Sequence, residues 1–186
     1  MLTWKNADLG EFAYSNYCWS RSFNLPGFCR LKYRGFFEPA DGELNAVVPF
    51  AILVEDEFCY PQAPAISLAR KIIENHGRLL DVSLSALLRD ICGDGPTSCS
   101  GWHGKFEFVR KLSSGHDLIG ELTVLDLCDA IGMPEVLIKD ATDQSHKAIA
   151  TMAFHCTFEP EHGLGFLTDG NEVLGIGSAL DVELFR

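Results

Sequence analysis

Along the C-terminal third of the chain, apolar and polar residues alternate with a period of two. From Ala148 to Phe158 the even positions Ala148, Ala150, Met152, Phe154, Cys156 and Phe158 are all apolar, and the odd positions include Thr151, His155 and Thr157. That alternation predicts a strand with one buried face. A turn at Glu159 to His162 (EPEH) then reverses the chain into a strand over Gly163 to Leu167. Asp169-Gly170 is a strong two-residue hairpin signal and leads into a strand over Glu172 to Ile176. With Glu135 to Lys139 (EVLIK) as a fourth member, this segment is expected to form an antiparallel β-meander.

The first quarter carries shorter versions of the same pattern. Phe12 and Tyr14 alternate with polar neighbours, and Phe28 to Tyr33 (FCRLKY) alternates again between Gly27 and Gly35. Val47 to Val54 predicts a stronger strand, with Pro49 pushing it toward an edge or a bulge, and the acidic turn Glu55-Asp56-Glu57 ending it. The middle switches to helical spacing. Ile66, Ala69, Ile72 and Ile73 predict a helix over 63–76, with Pro64 in its first turn and Gly77 as its C-cap. Leu84, Leu87, Leu88 and Ile91 predict a second, with Asp81 as N-cap and Gly93 as the stop. Thr123 to Ile131 reads as a third, two turns long and ended by Gly132. Phe106 to Leu112 fits strand and short helix equally well. The expected fold is therefore α+β: an antiparallel sheet with two or three helices packed on one face, since neither short amphipathic helix buries its stripe alone.

Composition fits one such domain over residues 1–186. The chain has 186 residues with 47% hydrophobic and 22% charged side chains, enough apolar material to offset ordering entropy. The longest nearly apolar run, Ala46 to Val54, covers about 9 residues where a membrane span needs roughly 20, so no membrane association is expected. The opening MLTWKNADLGEFAY has no basic region followed by an apolar stretch, which predicts no secretory signal. Seven cysteines at irregular spacing do not suggest a disulfide framework, and a reducing cytoplasm is the expected compartment. Most of the thiols are expected to serve as small core hydrophobes, Cys128 and Cys156 most clearly.

Charge is uneven. The net formal charge of −11 divides into −3 over residues 1–60, +1 over 61–120 and −9 over 121–186. So acidic a chain repels a phosphate backbone, and its one basic stretch, Lys105 to Lys111, is short and interrupted by Glu107, so nucleic acid is not an expected partner. The acidic third suits solubility, or steering of a basic protein.

The stretch Phe154 to Gly177 (FHCTFEPEHGLGFLTDGNEVLGIG) resembles the signature end of an uncharacterised bacterial domain-of-unknown-function family. Members of that family show an aromatic residue, a short acidic turn with E-H-G-L-G, and a hairpin ending in a valine-rich strand. Leu9-Gly10-Glu11-Phe12 and Trp19 resemble the family's opening strand and tryptophan. The chain departs from the pattern at Phe158, where tryptophan is commoner, and in its long loop over 93–104. The resemblance implies the fold and adds no chemistry.

Two side-chain clusters are candidates for function. His155, Cys156, Glu159, Glu161 and His162 have the donor types zinc accepts, and His155, Glu159 and His162 are the weak metal candidates among them. His155 and Cys156 are strand neighbours, however, and point to opposite faces, so His155 can meet Glu159 or His162 only if the turn folds back. Turn chemistry explains the same residues without an ion: Pro160 fixes φ, Gly163 adopts a conformation other residues resist, and His162 pairs with Glu159 or caps a carbonyl. The second cluster, Cys92, Cys99, His103 and His116, has a spacing unlike that of structural zinc sites, although Trp102 and His103 on a glycine-flanked loop suit a ligand cleft. No G-x-S-x-G elbow and no phosphate-binding glycine loop occurs, so no cofactor is expected. Two functions remain. The first is a non-enzymatic interaction protein, of immunity or accessory type, that binds a basic protein through its acidic third by way of residues such as Glu159, Glu161, His162, Trp102 and His103. The second is a metal-dependent hydrolase-like enzyme using His155, Glu159 and His162.

Overall fold

The computed structural model describes residues 2–33, 46–57, 59–94, 102–104, 122–140 and 148–179. Among the described residues, eight strands and two helices make this an α+β protein: β1 (Thr3–Asn6), β2 (Gly10–Ser15), β3 (Cys18–Asn24), β4 (Val47–Leu53), α1 (Ala63–Cys92), α2 (Val124–Ala130), β5 (Ile131–Lys139), β6 (Ile149–Cys156), β7 (Leu164–Thr168) and β8 (Val173–Ser178). The strands form one sheet in chain order from β1 to β8. Every neighbouring pair is antiparallel except β4 with β5, which run parallel from Phe50 beside Val136 to Leu53 beside Lys139. The sheet is thus two four-stranded meanders joined by one parallel seam. The seam corrects the expectation of a purely antiparallel sheet, and it requires a crossover, which the segment containing α1 supplies.

The C-terminal meander follows the period-two pattern. Ala150, Met152, Phe154 and Cys156 of β6 are buried, His155 is exposed, and Leu164 and Phe166 of β7 are buried beside Phe154 and Met152. Thr151 is buried as well, although it points to the opposite side. The β7–β8 loop is longer than a two-residue hairpin, occupying 169–172. The Asp169 carboxylate accepts the N–H groups of Asn171 (2.9 Å) and Glu172 (3.0 Å), and these bonds hold it below the usual carboxylate range. In the N-terminal meander, β2 turns into β3 through Asn16 (φ 50°) and Tyr17 (φ 61°), both left-handed, the geometry of a type I′ hairpin. Pro49 lies where β4 has only β3 beside it, because β5 joins at Phe50. Its missing N–H therefore costs no seam bond.

Three local expectations are overturned. The two predicted helices are one helix of 30 residues, about 45 Å long. The apolar stripe does not lose phase at Gly77: Ile72, Leu79, Leu80, Ser83, Leu84, Leu87 and Ile91 are all buried. Asp81 is no N-cap but lies within the helix and pairs with Arg30. Gly93 does terminate it, in the left-handed region (φ 82°). Second, Phe28 to Tyr33 is not a strand. Pro26–Arg30 forms a 3-10 turn, and the chain beyond it lies along α2 and the start of β5, with Lys32 N–H donating to Cys128 O (2.9 Å) and Tyr33 N–H to Ile131 O (3.2 Å). Third, Gly132 does not end a helix. It lies in β5, where a Cβ would come 2.5 Å from the Tyr33 carbonyl oxygen. The predicted Phe106 to Leu112 element, Gly35 and the Lys105 to Lys111 stretch lie outside the described residues.

α1 contacts β5, β6, β8, α2 and the 3-10 turn. Its N-terminus is fastened to the seam. Asp140, the residue after β5, donates its backbone N–H to Leu53 O (2.9 Å), and its carboxylate accepts the N–H of Gln62 (2.8 Å) at the start of the helix. Asp140 is buried, and burial raises its carboxyl above the usual range; the Gln62 bond opposes that shift and the charge of Glu55 adds to it. A native-state acid held above its unfolded value stabilises the fold fully below the ordinary carboxyl pKa and loses that contribution as pH rises through the raised value. Urea midpoints of the wild type should therefore fall between about pH 4 and pH 7 by more than those of Asp140→Asn, which keeps an acceptor for Gln62. Equal falls in the two proteins would contradict this account.

Gly27, in the 3-10 turn, meets α1 at its own glycine. A Cβ on Gly27 would come 2.7 Å from Gly77 Cα and 2.6 Å from His76 Cδ2, whereas a Cβ on Gly77 would find nothing within 4 Å. Gly27→Ala should destabilise the protein by about 1–3 kcal/mol. Gly77→Ala should stabilise it by roughly 0.5–1 kcal/mol, because alanine loses less backbone entropy in a helix and meets no obstacle. Denaturation midpoints moving in opposite directions would confirm the pair.

Candidate functional site

The turn after β6 does fold back. Gly163 N–H donates to Glu159 O (2.9 Å), and Ala179 N–H reaches His162 O (3.1 Å) at the end of β8. Gly163 has φ +65°, and a Cβ there would come 2.6 Å from Phe154 O, so the position needs glycine twice over. The reversal sets Pro160, Glu161, His162 and Gly163 beside the end of β6. Register does the rest: Glu135 of β5 pairs with Ala153, two residues from His155 on the same side of the sheet. The result is a cleft of about 250 Å³ lined by Glu135, Ala153, Phe154, His155, Pro160, Glu161, His162, Gly163 and Ala179.

His155, Glu161 and His162 are thus brought together, and Glu159 stands behind them. The His162 Nδ1–H donates to Glu159 Oε1 (3.0 Å), which fixes the ring. Cys156 points the other way, as strand alternation requires. It is buried, donates a long bond to Glu159 O (3.8 Å), and its thiol is pushed up to about 12 by burial, so it is unsuited to ligate a metal or to act as a nucleophile. Among the described residues no group of three or more His, Cys, Asp or Glu side chains is arranged to hold a metal ion.

The cleft's electrostatics depend on which acids are already engaged. Asp126 closes a capping box with Thr123, Asp129 pairs with Lys32 (2.7 Å), Asp140 holds Gln62, Glu159 holds His162 and Asp169 holds its own turn. Glu135 and Glu161 are exposed and have no hydrogen-bond or cationic partner among the described residues. Among the described residues of this third, few carboxylates are therefore unopposed, and two of them line one cleft.

Trp102 and His103 lie elsewhere, against the C-terminal end of α1. Trp102 is buried, its ring edge-on to Phe158 at 5.5 Å between centroids, so it belongs to the interior rather than to a surface cleft. The His103 Nδ1–H donates to the buried carboxylate of Asp90 (2.7 Å), and Gly104 N–H donates to Asp90 O (3.0 Å). Cys92 is exposed, and Cys99 and His116 lie outside the described residues. Sequence reasoning missed Glu135 and Asp90. Asp90 had a signal, a carboxylate on the apolar stripe of a helix, which calls for a buried partner. Glu135 had none, because only the pairing of β5 with β6 puts it beside His155.

The fold and cleft define an α+β protein with a small, partly acidic surface pocket. No family model, no curated protein and no solved structure matches the chain. Among the described residues no helix is long and apolar enough to cross a membrane.

Proposed function

We propose that the chain is a binding protein without catalytic chemistry of its own, an accessory or immunity-type molecule of the cytoplasm whose acidic C-terminal third docks a basic protein. In this reading the helices cover one face of the sheet, and the cleft beside β5 and β6 meets the partner. On the E-H-G-L-G resemblance we further propose that the chain is a member of the uncharacterised bacterial family described above, a membership that adds no chemistry to this reading. The observation that supports the reading most directly is the pair Glu135 and Glu161, unopposed while Asp129, Glu159 and Asp169 nearby in sequence are engaged. Exposed carboxylates of this kind act on encounter rate and partner choice more than on stability.

A second reading, a metal-dependent hydrolase-like enzyme using His155, Glu159 and His162, draws support from one observation: the folded-back turn sets His155 and His162 in one cleft. Affinity capture from native lysate separates the two. The binding reading expects a basic partner that is released as salt rises and is lost on Glu135→Lys with Glu161→Lys. Capture that ignores both salt and charge reversal counts against it. Stoichiometric metal in protein purified without added ions, lost in His162→Ala, would move the assignment to the enzyme.

A further inference from the structure

We infer that the cleft is a receptor for a guanidinium group, an arginine side chain presented by the partner; the inference rests on the binding reading above and specifies its chemistry. The cleft's volume of about 250 Å³ lies below the roughly 300–1,000 Å³ of ordinary small-molecule and cofactor sites. It holds on the order of eight waters, which suits a single long side chain. Its walls divide by chemistry. Ala153, Pro160 and Ala179 offer apolar surface, the environment that the methylene stem of a long cationic side chain seeks. Glu135 and Glu161 supply two carboxylates from separate elements, one from β5 and one from the turn.

Arginine fits this set better than lysine. Its planar fork presents five donors and serves two carboxylates at once, and it leaves water more readily than a compact ammonium. A guanidinium also stacks on flat rings, and His155 and His162 both line the cleft, the latter held in place by Glu159. A neutral ligand of the same shape would leave both carboxylates desolvated and unpaired, so the site selects by charge as well as by size.

The test uses the whole chain and three small probes: N-acetyl-arginine methylamide, its lysine counterpart, and the citrulline counterpart as the neutral isostere. Imidazole signals of His155 and His162 are followed by NMR during each titration. The arginine probe should shift both rings saturably, with a dissociation constant on the order of 1 mM for a ligand of this size. The lysine and citrulline probes should bind several-fold more weakly, and Glu135→Gln with Glu161→Gln should weaken arginine binding by roughly tenfold. No saturable shift with arginine, or equal shifts with all three probes, overturns the inference. If that happens while capture of a basic partner stays salt-sensitive and is lost on charge reversal, only the guanidinium assignment falls. If capture is also indifferent to salt and to charge reversal, the binding reading falls with it.

Discussion

The seam between β4 and β5 is the constraint on which the rest of the structure depends. An antiparallel meander builds itself from turn to turn, but two strands lying parallel need a chain that travels the length of the sheet and returns. Here that return includes a helix of 30 residues, and its start is tied to the seam through Asp140. One residue extends the ladder with its backbone and holds the first turn of α1 with its side chain. The exchange is not free, since a carboxylate is taken largely out of water. The bond from Gln62 and the satisfaction of a helix-end N–H offset part of that cost.

Glycine shows how differently the same residue is used along one chain. Gly163 and Gly93 sit in left-handed turns, where their conformational freedom is required. Gly27 and Gly132 serve instead as places where another stretch of backbone comes within what would be Cβ distance. Gly77 does neither. It interrupts no stripe, and although its backbone lies against Gly27, a Cβ of its own would point into open space.

That difference explains what could be read from sequence. The C-terminal meander was legible because alternation over β6 is unbroken and its turns carry Pro160, Gly163, Asp169 and Gly170. Gly93 was legible as a helix end for the same local reason. The union of two helices was not, because a glycine at the end of an apolar stripe looks alike whether it caps a helix or lies within one; only the phase of the stripe past residue 79 distinguishes them. The β2–β3 turn was hidden because Asn16 and Tyr17 take left-handed angles without a glycine. At the site, His155, Glu161 and His162 were legible as a cluster, being close in sequence. Glu135 was not, since nothing in its own segment says which strand will lie beside it. The pairing of Asp90 with His103 was likewise a fact of tertiary structure.

The order of strands has a kinetic consequence. Within each four-stranded meander, neighbouring strands in space are also neighbours along the chain, so most closures span modest loops. The seam alone joins residues separated by the whole helical insertion, from Leu53 to Ile131. The entropy of closing a long loop is thus concentrated at one ladder of four residue pairs, and both halves of the sheet can take shape before it forms. Assembly of this protein then amounts to the meeting of two locally organised halves, with the rate set by how soon β4 finds β5.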